Sequence, residues 1–89
     1  MITAVVLITA DKGALPTLGE VVAAIPGVSE VYSVTGEFDF IAMVRARAHE
    51  ELAEIVTARI AQTPGVARTQ THVAFRAYSK HDLETLFAS

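Results

Sequence analysis

The sequence predicts an α+β domain whose elements follow in the order strand, helix, strand, strand, helix, strand. Two segments with helical spacing of apolar residues each end in Pro-Gly-Val, at Pro26-Gly27-Val28 and Pro64-Gly65-Val66. A β-forming segment with a glycine near its centre lies between them, which is typical of a hairpin. An apolar run precedes the first helix, and another β-forming run follows the second.

The first strand and first helix are predicted from their apolar patterns. Residues 2–9 are apolar at nearly every position, which indicates a strand buried on both faces. The helix should begin near Gly13 or Ala14, with Pro16 in its first turn, and should end at Pro26-Gly27. Its apolar stripe consists of Leu15, Leu18, Val21, Val22 and Ile25.

The hairpin is predicted to join a strand at residues 28–35 to a strand at residues 38–45. The pair Gly36-Glu37 suits a two-residue turn, because glycine readily adopts the positive φ that such a turn requires. Residues 35–39 then form a polar tip on an otherwise apolar domain. We therefore expect function to lie at this tip and at the surface that it joins.

The second helix and last strand repeat the first pattern. Glutamates follow His49 in the first turn, where negative charge suits the helix dipole, and Pro64-Gly65 ends the helix. Residues 66–77 are predicted as the fourth strand of a domain at residues 1–78. Residues 79–89 form a tail that could make amphipathic turns with Asp82, Leu83, Leu86 and Phe87. The helix stripe consists of Leu52, Ile55, Val56 and Ile60.

This order predicts a ferredoxin-like βαββαβ fold, with a four-stranded antiparallel sheet and both helices on one face. The first strand is apolar on both sides, with Thr3, Val5, Leu7 and Thr9 alternating with Ile2, Ala4, Val6 and Ile8. The sheet face away from the helices therefore needs a cover. A second copy of the chain is the most economical one, which gives a dimeric α+β barrel.

The composition narrows the class of protein. The chain has 89 residues, 52% of them hydrophobic, no cysteine and a formal charge of −3. The absence of cysteine removes disulfides and thiolate chemistry, and the scattered Lys and Arg residues give no basic stripe for direct nucleic-acid binding. No apolar run reaches the length of a membrane span. We expect a cytoplasmic protein with no membrane contact.

Residues with catalytic or metal-binding chemistry are few. His49, His72 and His81 are too scattered in sequence to suggest a metal site, and no serine lies in a nucleophile-elbow pattern. We therefore predict no catalytic residues, no metal and no cofactor. The predicted roles of the histidines are a helix start, a strand face and a solvent-exposed position.

Two polar groups remain as candidates for a ligand site. Glu37 and Asp39 at the hairpin tip could act as an acid-base pair, or Asp39 could fix the turn by accepting bonds from backbone N–H groups. Thr69 and Thr71 share one face of the fourth strand, with Gln70 between them, and could line a wet pocket or serve only as β-formers.

These residues, in this order, resemble a known family. The sequence Val34-Thr35-Gly36-Glu37-Phe38-Asp39, the two Pro-Gly-Val motifs and Thr69-Gln70-Thr71 are similar to the effector-binding domain of the leucine-responsive/asparagine regulator (Lrp/AsnC) family. This domain is often called RAM, for regulation of amino-acid metabolism. The resemblance covers residues 2–78.

The resemblance implies a dimer with its two sheets face to face, a ring of dimers, and a small effector, usually an amino acid, held between dimers. In the family, the Gly-Xaa-Xaa-Asp loop and the start of the last strand carry that site. The implied ligand-binding residues are Val34, Thr35, Gly36, Glu37, Phe38, Asp39, Thr69, Gln70 and Thr71. Because the sequence opens on the first strand, it looks like a stand-alone domain without the family's helix-turn-helix.

Three functions remain open at this point. The first is a non-enzymatic, amino-acid-binding oligomer that modulates full-length Lrp/AsnC-type regulators. The second is a small dimeric α+β barrel enzyme, such as a cofactor-free monooxygenase or isomerase, which would need polar groups in a cleft between sheet and helices. The third is an assembly module whose ligand site is vestigial.

Overall fold

A computed structural model of the chain describes residues 1–78 and Lys80, and it has the predicted order of elements. After the first strand, β1 (Ile2–Ala10), a single 3-10 turn at Lys12–Ala14 leads into the first helix, α1 (Leu15–Ala23), which carries a proline in its first turn. The last helix, α2, begins as an α-helix at His49–Ala53 and continues as a π-helix at Glu54–Ile60. The other elements are β2 (Val28–Ser33), β3 (Phe40–Ala46) and β4 (Val66–Val73).

The sheet has the order β2-β3-β1-β4, and all neighbouring strands are antiparallel. The strand β1 is central, because it pairs with β3 along one edge and with β4 along the other. In this register Ile8 lies between Phe40 and Thr69, and Thr3 lies opposite Arg45. The predicted α+β fold with a four-stranded antiparallel ferredoxin-like sheet is confirmed.

The core lies between the helices and one face of the sheet. Ala4, Val6 and Ile8 of β1 are fully buried there, and the whole predicted stripe of α2 packs in the same core. The predicted stripe of α1 is confirmed only in part, because Leu18 and Val22 are buried whereas Leu15 and Val21 are 43% and 50% exposed. No polar or charged residue of the described part of the chain is buried as a whole. The buried set is Ala4, Val6, Ile8, Leu18, Val22, Phe40, Ala42, Val44, Ala46, Leu52, Ile55, Val56 and Ile60.

The other face of the sheet, which we call the open face, has no helix on it. Its central side chains, Val5 and Leu7, are only half-buried, and Tyr32 is 50% exposed. The Thr9 hydroxyl oxygen is buried at this face, and none of the described residues bonds to it. The predicted alternation of β1 is thus confirmed, while the cover for the open face stays a prediction.

The hairpin differs from the expected two-residue turn. The strands end at Ser33 and restart at Phe40, so that a six-residue loop, residues 34–39, connects them. Within this loop, Asp39 bonds to Val34 through its carbonyl and to β1 through its N–H. The expected positive φ of Gly36 is confirmed, at 105°. The last strand also ends earlier than predicted, at Val73.

The π-helical half of α2 was not predicted. Its wider turns show in the bond from the Ala61 N–H to the Val56 carbonyl, 2.9 Å long and spanning five residues. The Thr57 hydroxyl donates to the Ala53 carbonyl at 2.6 Å, where the helix changes pitch. Ile55, Val56 and Ile60 all stay buried, so the wider turn preserves the apolar stripe.

Two sequence predictions lie outside the described residues. The tail at residues 79–89 is described only at Lys80, so its amphipathic turns, the location of His81 and the domain boundary at residue 78 stay predictions. His49 begins α2 and His72 lies on β4, as expected. Within residues 1–78, no helix has the length and apolar character needed to cross a membrane.

We expect Gly65→Ala to destabilise the fold more than Gly36→Ala. Both glycines have φ near 100°, which costs an L-residue about 1–2 kcal/mol. A Cβ at Gly65 would also lie 2.5 Å from the Cβ of Ala14, whereas a Cβ at Gly36 meets nothing within 4 Å. In urea unfolding at one fixed protein concentration, the free energy of unfolding of Gly65→Ala should be about 1–3 kcal/mol lower than that of Gly36→Ala.

The matched control is Gly13→Ala, where φ is not positive and nothing lies within 4 Å of the added carbon. It should change the free energy of unfolding by less than about 0.5 kcal/mol. Equal losses for Gly65→Ala and Gly36→Ala would show that Ala14 moves aside freely and that the turn before β4 packs loosely against the 3-10 turn before α1.

Candidate functional site

The loop at residues 34–39 is held at both of its ends by backbone bonds. The Val34 N–H donates to the Asp39 carbonyl at 3.0 Å, which closes the loop, and the Asp39 N–H donates to the Ile8 carbonyl of β1 at 2.9 Å. The tip between these anchors, Thr35 to Glu37, is exposed. A rigid base therefore presents a short, accessible stretch of backbone.

The Asp39 carboxylate has a structural partner. Its Oδ2 accepts a bond of 2.8 Å from the Ala10 N–H, at the end of β1 where the pairing with β4 shifts register. One of the two predicted interpretations was that Asp39 bonds backbone N–H groups of its own turn. The structure shows such a bond, but the N–H belongs to another strand. A carboxylate has about four acceptor positions, so this bond leaves capacity for a ligand.

The tip itself is open to contact. Nothing lies within 4 Å of where a Gly36 side chain would begin, so another molecule can approach the backbone there. Glu37 is exposed, while Phe38 and Asp39 are half-buried. Glu37 and Asp39 therefore differ in environment, although they are neighbours in sequence.

The three candidate residues of β4 do not share one face. Thr69 pairs with Ile8 and Thr71 with Val6, so both threonines lie on the helix side of the sheet. Gln70 lies on the open face, where its Nε2 is 3.2 Å from the Nε2 of His72. The strand spacing places Thr69 roughly 10 Å from Phe40, at the same end of the sheet as the loop.

A tyrosine on the open face has a perturbed acidity. Tyr32 lies beside Glu30, and both side chains point away from the helices, opposite Ile41 and Met43. Hydrogen bonding to the Glu30 carboxylate raises the pKa of the Tyr32 hydroxyl above its ordinary value of 10.0, and burial and charge repulsion add to it.

Sequence reasoning missed a cleft of about 460 Å³ between α2 and the start of β2. In the sequence, the acidic start of α2 indicates only a favourable interaction with the helix dipole, and nothing local to it shows that Pro26 and Gly27 pack opposite. We call it the acidic cleft and define it by Pro26, Gly27, Glu50, Glu51, Glu54, Ile55 and Arg59.

Metal-binding groups do not converge in the part of the chain that is described. No three His, Asp or Glu side chains lie close enough there to hold an ion. The space between sheet and helices is filled by aliphatic and aromatic side chains. Among the described residues, the polar side chains that could bind a ligand therefore lie at the loop end of the sheet and on its surfaces.

Comparison with known proteins gives a consistent result. A family model described as the Lrp/AsnC ligand binding domain matches residues 3–83. An uncharacterised helix-turn-helix transcriptional regulator of Pyrococcus furiosus is 43% identical over 76 residues, which are 82% of this chain and 51% of the regulator. The chain thus spans about half the length of the curated regulators that it matches.

Solved structures agree with these sequence matches. A crystal structure of a Thermus thermophilus protein is 50% identical, covering 90% of this chain and all of that chain, with a TM-score of 0.83. A feast or famine regulatory protein of M. tuberculosis, crystallised with L-methionine, is 28% identical over 90% of this chain and 54% of its own, with a TM-score of 0.75.

We expect Asp39→Ala to destabilise the chain while Asp39→Asn does not. Alanine leaves the half-buried Ala10 N–H without its acceptor, which should cost about 1–2 kcal/mol in urea unfolding. The oxygen of asparagine can still accept that bond, so its cost should stay below about 1 kcal/mol. Glu37→Ala, at the exposed tip, is the control and should be nearly neutral.

If Asp39→Ala is as stable as Glu37→Ala, the bond to Ala10 does not hold the loop, and the structural interpretation of Asp39 fails.

Proposed function

Because this chain belongs to the Lrp/AsnC family through its ligand-binding domain, we propose that it binds a free amino acid between copies of itself. Its relatives are transcriptional regulators, and binding of the amino acid serves a regulatory, non-enzymatic function. The loop at residues 34–39 is the observation that carries this proposal.

The chemistry of the loop suits the two charged ends of an amino acid. Exposed backbone N–H groups around Gly36 can donate to a carboxylate, and nothing blocks an approach to them. The Asp39 carboxylate, held by the Ala10 N–H, can accept from an ammonium group. The M. tuberculosis relative crystallised with L-methionine supports a ligand of this class.

The arrangement of the candidate residues favours a site shared between copies. Thr35, Gly36 and Glu37 are exposed, and Gln70 faces away from Thr69 and Thr71. One copy therefore cannot enclose a small ligand with all nine candidate residues. A neighbouring copy that packs on the loop end of the sheet would supply the missing wall.

The open face supports a dimer as the unit of this assembly. Val5, Leu7 and Ile41 form a half-exposed apolar band across β1 and β3, and contact with another sheet would remove it from water. A partner could also supply the missing bond to the Thr9 hydroxyl. We propose that two open faces pack together and that such dimers join through the loop ends into a ring.

Regulation would pass through other proteins. A net charge of −3 and scattered basic residues give this chain little attraction for phosphates. The chain spans only about half of the P. furiosus regulator that it matches, which is named for a helix-turn-helix. We propose that this domain modulates such regulators by joining their assemblies through the same surfaces.

We expect at least one of the twenty amino acids to stabilise the wild-type protein in a thermal-shift screen. A ligand selective for the folded state adds about 2.7 kcal/mol at a hundredfold excess over its Kd. For a domain of this size, that raises Tm by about 10–20 °C. The D-enantiomer of each hit is the control. No response to any amino acid at millimolar concentration would refute the proposal.

We expect Asp39→Asn to weaken binding of the amino acid that the screen identifies by about thirtyfold. Loss of a charge-assisted bond to the ammonium group costs about 2 kcal/mol, while the Ala10 bond survives. Calorimetric titration measures the affinity. Glu20→Gln, which removes an equal charge from α1, should bind like the wild type. Equal affinities for Asp39→Asn and the wild type would move the ammonium site elsewhere.

A further inference from the structure

The chain beyond β4 carries two large side chains in water. Residues 74–78, which we call the C-terminal arm, start at a bond of 2.8 Å from the Ala74 N–H to the Thr3 carbonyl. Beyond that bond Phe75 is 99% exposed and Tyr78 is 82% exposed. Aromatic rings are enriched in the buried centres of protein interfaces, so this exposure indicates a contact surface.

The acidic cleft has the shape and charge to receive this arm. Pro26, Gly27 and Ile55 give it an apolar lining, while Glu50, Glu51 and Glu54 outnumber the single Arg59. The arm and the residue soon after it carry the opposite charge, on Arg76 and Lys80. An aromatic ring flanked by two cations therefore complements a cleft with an apolar lining and an excess of carboxylates.

The arm and the acidic cleft of one copy stand apart. A line across the sheet starts at Ala74, where the arm begins, and passes through Thr3, Arg45 and Gly27. Thr3 pairs with Arg45, and the Arg45 N–H donates to the carbonyl of Gly27 at the cleft. The arm thus leaves one edge and the cleft opens near the other, three strand spacings or roughly 14 Å away. The exposure of Phe75 shows that the arm does not fill its own cleft.

We propose that the C-terminal arm of one copy docks in the acidic cleft of a second copy. An aromatic ring of the arm packs on Pro26 and Gly27, and Arg76 pairs with the glutamates of the rim. The charges of the arm and the cleft are complementary, which favours contact between them. Because the arm and the cleft of one copy lie at opposite edges of the sheet, at the same end, the arm in the cleft must come from a second copy. This contact uses neither the loop at residues 34–39 nor the open face, so it stands apart from the proposed amino-acid site.

Disulfide trapping tests the contact directly, because the chain contains no cysteine. Arg76→Cys and Glu54→Cys, each with a different tag, are mixed, exchanged and oxidised. The mixed disulfide should dominate over both single-variant dimers. Lys12→Cys, at the other end of the sheet, replaces Glu54→Cys as the control and should give much less product.

If the arm docks somewhere other than the acidic cleft of a second copy, a different disulfide will form. An Arg76→Cys homodimer as the main species would show that arms pair with arms, and a disulfide to Met43→Cys would place the arm on the open face. Closure within a single chain of the Arg76→Cys/Glu54→Cys double variant would return the arm to its own cleft. Each of these results overturns the proposal.

A charge exchange tests the same contact without cysteine. Arg76→Glu and Glu54→Lys should each lower the association constant in sedimentation by about threefold, as expected for an exposed ion pair. The double variant should recover most of this loss. Additive losses in the double variant would show that the two charges do not meet and would overturn the pairing.

Discussion

The fold depends on the central strand β1, which has apolar side chains on both faces but helices on only one. Ala4, Val6 and Ile8 face the helices and are fully buried, and they fix the two-layer core. Val5 and Leu7 point the other way and stay half-exposed. The helices of a single copy cover only one of these two faces, so the same nine residues that organise the core also leave an apolar surface half-exposed.

The sequence predicted those features that depend on the conformation of a single residue or on the spacing of apolar residues within one helix or strand. Gly36 took its positive φ, because this feature depends on local sterics. The helices ended at Ala23 and Ile60, three and four residues before the prolines of the Pro-Gly-Val motifs, so these motifs predicted the helix ends only approximately. The loop length and the π-helix were missed for a different reason. The Asp39 carboxylate binds Ala10, 29 residues earlier in the chain, and the pitch of α2 changes without losing its apolar stripe.

The residues of the candidate site could be named from the sequence, but their arrangement in space could not. The resemblance named nine residues as a group, and the register places the loop and Thr69 at one end of the sheet. It also separates Gln70 from its neighbours, because adjacent residues of a strand face opposite sides. The acidic cleft had no signal in the sequence, since it forms where a loop before β2 and a helix after β3 meet.

The pairing of β1 with β4 also bears on how the chain is made. The strand β1 is synthesised before both of its partners, and after β3 has paired with one edge, the other edge waits for residues 66–73. Until these emerge from the ribosome, β1 presents unpaired N–H and C=O groups beside apolar side chains, which is the kind of edge that captures other strands. Such long-range pairing slows folding relative to a helical domain of equal length. The nascent chain is therefore most prone to aggregation just before its last strand appears, and a translational pause within β4 would lengthen that interval.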